Sequence, residues 1–177
     1  YPKGIKAIIF NSPYFSTSLW KADADTLITT LPDSIQLAIK TGEKNHDYGS
    51  PAYKNANEVF YKNFGVRKTK LTSELDTSTA KGNEFIYNYM WGPTEFTAAG
   101  TLINYNRVQS LKTIKVPTLF ITGEFDEARP VTVKYFQSLV PNSKFVMIDG
   151  AGHGTMHDNK GQNISAVKTF LDSLELK

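Results

Sequence analysis

The sequence predicts an α/β fold in which a parallel sheet carries helices on both faces and a long all-helical segment interrupts it. Three observations lead there. The C-terminal portion reads strand, helix, strand, helix, with the apolar runs VPTLFI (116–121) and SKFVMI (143–148) as its strands. Both runs are too apolar to leave either face in water, as expected of strands buried in a parallel sheet. A third apolar run, IKAIIF (5–10), opens the chain between Gly4 and Pro13, and no convincing strand signal falls between residues 16 and 110.

Taken in order, YPKG reads as the end of a helix running into the first strand, so the chain is expected to be a piece of a longer one. From Thr17 to Leu31, the apolar positions Leu19, Trp20, Ala24, Leu27, Ile28 and Leu31 recur at helical spacing. Pro32 suits the first turn of a second helix, PDSIQLAIKTG, with Gly42 near its end. EKNHDYGSP is turn-rich, which makes His46 a surface residue. Val59, Phe60 and Phe64 continue the helical pattern, and LTSELDTSTAKGN (71–83) is polar and reads as a loop. In NEFIYNYMWGP, Phe85, Ile86, Tyr89 and Met90 share one helix face. PVTVKYFQSLVP is a helix between the last two strands. The terminal helix, NKGQNISAVKTFLDSLE, turns Ile164, Val167, Phe170, Leu171 and Leu174 inward.

Composition narrows the function classes. The 177 residues suit one domain, or one domain with an insertion. Twenty Lys and Arg against 17 Asp and Glu give +3, spread along the chain, which argues for neither nucleic acid nor an anionic membrane as partner. There is no cysteine, so disulfides, thiolate catalysis and cysteine metal sites are excluded. No apolar run reaches the roughly 18 residues of a membrane-spanning helix. A cytoplasmic location is expected.

Ligands and catalytic groups gather at the carboxyl ends of the strands in such sheets. Two ionisable motifs sit there: Asp126 in GEFDEARP and His153 in DGAGHGTMHD. Taken singly, Asp126 reads as a helix N-cap and His153 as a turn residue. At successive strand ends they read as the acid and base of a nucleophile triad. The carboxylate fixes the imidazole tautomer, and the free nitrogen takes a proton from a hydroxyl. The order nucleophile, Asp, His is that of the α/β-hydrolases. His157 lies four residues beyond His153, but Gly152 and Gly154 argue against a helical metal pair, and neither metal nor cofactor is expected.

VPTLFITGEFDEARP, then a helix, then DGAGHGTMHD resembles the C-terminal part of an α/β-hydrolase. MWGPTEFTAAGTL, upstream of the acid, narrows the resemblance to the prolyl aminopeptidase (proline iminopeptidase) family of the tricorn-interacting-factor type, through the paired motifs GPTEF and GEFDE. It implies a core strand at 1–14, a helical cap at 15–105 and the C-terminal core at 106–177. It also implies a serine aminopeptidase that releases N-terminal residues, often proline, from short peptides with a free N-terminal amine. Asp126 and His153 would be catalytic, and Glu95 and Glu127 would hold the substrate amine. Tyr87, Tyr89, Trp91 and Phe96 either wall a pocket for the first side chain or form the cap core, with Tyr87 the candidate for substrate contact. Taken without the resemblance, Glu95 is an acidic residue in a first helical turn after Pro93, and Glu127 is a solvated neighbour of Asp126.

The family's G-x-S-x-G-G nucleophile motif is absent. Ser12 comes nearest to the required position, just after the first strand, but lacks the flanking glycines. The nucleophile is therefore expected on an N-terminal portion of the same protein, in one chain with this one or as a separate chain. The alternatives are another capped hydrolase, such as an esterase or epoxide hydrolase, and a non-catalytic relative that keeps the fold as a binding protein.

Overall fold

A computed structural model describes residues 4–68, 77 and 80–175 of the chain. Three parallel strands form the sheet in the order β1 (Ile8–Asn11), β2 (Thr118–Gly123), β3 (Ser143–Ile148). The register runs from Ile8 opposite Thr118 to Gly123 opposite Ile148. The β1–β2 crossover is the long helical segment, and the β2–β3 crossover is a single helix, α5 (Pro130–Ser138).

β2 is buried along its whole length because both of its faces are covered. Phe120 packs on one side against Val133, Phe136 and Val140, from α5 and the turn after it. Leu119 and Ile121 pack on the other side against Phe170 of the terminal helix α7 (Lys160–Glu175). β1 and β3 depart from the sequence expectation of strands dry on both faces. Each has one unpaired edge among the described strands; β1 alternates, with Ile9 exposed, and β3 leaves Lys144 and Met147 exposed on opposite faces. α7 also departs: Val167, Phe170 and Leu174 face the sheet, whereas Ile164 and Leu171 are exposed. Those two lie seven residues apart on a neighbouring stripe of the same helix, which the three-stranded sheet does not reach.

The helical segment begins with α1 (Thr17–Ile28), capped by the Ser16 hydroxyl accepting from Leu19 N. α2 (Asp33–Asn45) runs past Gly42, which lies inside the helix rather than at its end. A Cβ there would meet the Tyr53 ring at 2.3 Å, so the glycine lets α2 and α3 (Pro51–Phe60) approach closely. α2 ends at His46, exposed and left-handed with φ +53°. α3 continues into a π-helical turn, Tyr61–Gly65. Tyr53, Ala56, Phe60, Phe64 and Phe96 join Ala24, Leu31 and Ile39 in a separate hydrophobic core for this segment. Most of the polar stretch expected as a loop lies outside the described residues.

α4 (Glu84–Met90) has a helical pattern but buries none of its residues, and Phe85 is 78% exposed. Its shared apolar face therefore has no partner among the described residues. Trp91 and Phe96 go into cores instead, and Trp91 also reaches the wall of a cavity described below. No helix among the described residues is long and apolar enough to cross a membrane.

Phe120 is fully buried where α5 meets the sheet. Phe120→Ala should lower unfolding stability by about 3–5 kcal/mol, the usual cost of emptying such a core position. The urea midpoint should fall with the slope unchanged.

Candidate active site

Parallel strands end at the same side of a sheet, so Ser12, Asp126 and His153 emerge together from the ends of β1, β2 and β3. Asp126 sits in the turn between β2 and α5 with its side chain fully buried. A buried carboxylate needs hydrogen-bond donors. Its Oδ1 accepts from Ala128 N at 2.8 Å and lies 3.0 Å from His153 Nδ1. Its Oδ2 accepts from the Ser12 hydroxyl at 2.6 Å and from Gly123 N at 3.1 Å. The Thr122 hydroxyl is 3.0 Å from Oδ2 but 2.8 Å from Ala128 O, and its one hydrogen can serve only one of them well.

The His153 imidazole is 39% exposed, and the Trp20 ring stands edge-on to it at 5.8 Å. With Asp126 on Nδ1, the neutral ring keeps its proton on that nitrogen and leaves Nε2 free to accept. Burial opposes the charged imidazole. The hydrogen bond and charge of Asp126, with Glu127 and Glu95 behind it, outweigh that and push the group up to about 9.

Glu127 is not the solvated neighbour that its position in the sequence suggests. It is 3% exposed, its Oε1 lies 3.8 Å from His153 Nδ1, and its Oε2 has no hydrogen-bond partner among the described residues. Burial and the nearby Glu95 charge hold its carboxyl well above the usual range, with His153 pulling the other way.

Glu95 lies in the helical segment but not in a helical turn. It follows Gly92, which has φ +146° and where a Cβ would meet Thr97 O at 2.1 Å, so only glycine fits. The loop is then clamped from three sides. Trp91 Nε1 donates to Thr94 O at 2.9 Å, and Trp20 Nε1 donates to Glu95 O at 2.9 Å. The Tyr53 hydroxyl bonds the Thr94 and Thr97 hydroxyls at 3.2 and 2.7 Å. Tyr87, on α4, is partly exposed, and burial together with the Glu95 carboxylate pushes its phenol up. An open cavity of about 270 Å³ has Tyr14, Trp20, Tyr87, Trp91, Glu95 and His153 on its wall.

The structure thus brings Asp126, His153 and Glu127 into contact and sets Glu95 and Tyr87 on the same cavity. His157 falls on α6 (Thr155–Asp158), and its ring makes no hydrogen bond among the described residues. Three features escaped the sequence. Ser12 holds φ +49°, a left-handed conformation that costs a non-glycine residue about 1–2 kcal/mol. The Phe64 carbonyl accepts from His153 N at 2.8 Å and Glu127 N at 3.3 Å, and the Gly65 carbonyl from Gly154 N at 2.9 Å. Asp158 is buried and its carboxylate accepts from the backbone amides of Arg67, Lys68 and Gly152. Backbone carbonyls leave no residue signature, and an Asp after a His in MHD reads as an ordinary surface acid.

No protein-family model matches the chain. It is 37% identical over 174 residues to a proline iminopeptidase of Heyndrickxia coagulans, covering 98% of this chain and 60% of that protein. It superposes on the crystal structure of VinJ with a TM-score of 0.91 at 25% identity, covering 98% of this chain and 59% of that one. For the crystal structure of a Mycobacterium smegmatis proline iminopeptidase the values are 0.90 and 27%, covering 99% and 59%. The fold is that of the α/β-hydrolases, and the chain spans about six-tenths of the length of the curated relative it matches.

The raised imidazole makes a measurable expectation. Asp126→Asn removes the charge and one of the two acceptor oxygens but leaves the burial that opposes the imidazolium. The His153 titration followed by NMR should fall from about 9 to near or below the ordinary imidazole value of about 6.5. A midpoint left near 9 would mean that Asp126 does not hold the imidazole.

Proposed function

We propose that this chain, which over the portion it spans is of the proline iminopeptidase type, supplies the acid–base pair and the amine-binding site of a serine aminopeptidase. Its substrate is a short peptide with a free N-terminal amine, often on proline. The observation that carries the reading is Glu127. A carboxylate with one orphaned oxygen, buried beside the Glu95 charge, is an unfavourable arrangement until a cation enters. A substrate ammonium between Glu95 and Glu127 is such a cation, and it would sit next to His153. An uncharged ester would leave the same carboxylates uncompensated, which favours the aminopeptidase over an esterase.

In this reading the nucleophile lies on the part of the relatives' length that this chain does not span. No G-x-S-x-G occurs in the 177 residues, and the Ser12 hydroxyl is bonded to Asp126. The serine oxygen attacks the carbonyl of the first residue, and its proton passes to His153 Nε2 while Asp126 holds Nδ1–H. The same proton then goes to the departing amine, leaving the first residue as an ester. Water releases it by the reverse transfer. Tyr87, with Trp20 and Trp91, forms the apolar wall for the first side chain.

Two outcomes test this in protein that carries the nucleophile. Glu127→Gln and Glu95→Gln should each cost roughly 2–5 kcal/mol in kcat/KM on a proline arylamide, the range for truncating one side of a buried charge pair. N-acetylated substrate should already be poor. Unchanged kcat/KM in both variants would remove the amine assignment.

The pH dependence has a definite sign. A general base works when neutral, and its raised pKa keeps His153 charged at neutral pH in the free protein. A bound ammonium offsets Glu95 and Glu127, two of the charges that raise it. The acid limb of kcat should therefore lie at lower pH than that of kcat/KM, because the first reports the complex and the second the free enzyme. Coincident limbs would separate the amine from the base.

A further inference from the structure

We propose that Ser12 is a positioning residue of the Asp126–His153 pair: its hydroxyl holds the Asp126 oxygen turned away from the imidazole and draws off part of its charge, so that the carboxylate orients His153 without locking it in the charged form. The inference rests on reading that pair as the acid and base, not on the substrate.

Five observations support it. Ser12 is buried, so its hydroxyl needs a protein partner. That partner is Asp126 Oδ2 at 2.6 Å, a short charge-assisted bond, with His153 O farther off at 3.3 Å. A nucleophile would need its hydroxyl on the imidazole, so this serine has a different task. Thr122, the other hydroxyl at Oδ2, is shared with a nearer carbonyl, so Ser12 is the hydroxyl on which that oxygen depends. Gly123 N and Ala128 N belong to the turn that carries Asp126, whereas Ser12 directly follows β1, 114 residues away, and ties the end of that strand to the turn. Finally, the backbone at Ser12 is left-handed, where glycine would be the easier residue. A turn of this shape has no need of a hydroxyl; the carboxylate does.

The sign of the effect follows. A donor to a carboxylate stabilises its charge and weakens it as an acceptor for a second donor. Without Ser12, Oδ2 keeps Gly123 N and a share of Thr122, so the carboxylate stays in place but attracts the imidazolium more strongly. The other groups around His153 are Glu127 on the same turn, Glu95 from the helical segment, and the Trp20 and Tyr87 rings at the cavity. None of them touches Ser12 through a hydrogen bond, so their influence should be unchanged.

The test is an NMR titration of histidine-labelled protein, with the His153 signal assigned by its loss in His153→Gln. Ser12→Gly suits the positive φ and removes only the hydroxyl; Ser12→Ala removes it from the strained backbone; Ser12→Cys keeps a weaker donor. His153 should titrate roughly 0.5–1 pH unit higher in both Ser12→Gly and Ser12→Ala, with Ser12→Cys between them and wild type. An unchanged or lowered midpoint in a Ser12→Gly protein whose amide spectrum shows the native fold would overturn the proposal. The reading of the amine site is tested separately. In Ser12→Gly the ratio of kcat/KM on free-amine and N-acetylated substrate should stay as in wild type, whereas Glu127→Gln should collapse it.

Discussion

The Phe64 carbonyl is the contact on which the site's geometry depends. It lies near the end of a π-helical turn, where the last carbonyls of any helix lack partners within it. Buried carbonyls are seldom left unpaired, and here the partners are amides of two different turns, Glu127 N and His153 N. One oxygen from the helical segment therefore fixes the spacing between the turn after β2 and the turn after β3. Gly65 O on Gly154 N, and Asp158 on the amides of Arg67, Lys68 and Gly152, extend the same seam. The segment is thus part of the framework that sets where His153 points, as well as a cover for the cavity.

Charge is arranged around that framework with one sign in excess. Asp126, Glu127 and Glu95 all act on a single imidazole, and each raises its affinity for a proton. Asp126 is made tolerable by its donors. Glu127 is not, having an orphaned oxygen and a carboxyl pushed upward by burial and by Glu95. In the proposed function the difference divides their tasks. A fully solvated-by-protein carboxylate holds its shape whether or not a ligand is present, which suits an orienting group. An under-satisfied one gains most when a cation arrives, which suits a binding group.

How much of this the sequence discloses depends on the kind of contact. β2 and α5 were legible because an apolar run and a helical period each state their own burial. Asp126 and His153 were legible because they follow such runs directly. Ile164 and Leu171 were misjudged because helical period gives the stripe but not the width of the sheet beneath it. The shared face of α4 was legible as a face, but apolarity tells what a face would bury, not what lies across from it. The burial of Glu127 was invisible locally, because Phe64 and the Glu95 loop close over it from residues far away in the chain. Ser12 was noticed for its place at a strand end, and its task could be seen only once Asp126 stood 2.6 Å away.

The glycines around His153 show how one signal can carry a reading for a different reason. In the sequence, GHG suggests a turn that needs conformational freedom. In the structure neither Gly152 nor Gly154 has a positive φ; Gly150 does. What they lack is room. A Cβ on Gly152 would meet Gly65 O at 2.5 Å and Phe64 O at 2.8 Å, and one on Gly154 would meet Val66 Cγ2 at 2.7 Å. The glycines therefore mark the path of the helical segment across the His153 turn, so close that its backbone can reach the amides of His153 and Gly154. A side chain at Gly152 would push that backbone away and take Phe64 O off His153 N, whereas one at Gly154 would press on the Val66 side chain. The imidazole is held by Asp126 on its ring and by the helical segment on its backbone, and the glycines make the second hold possible.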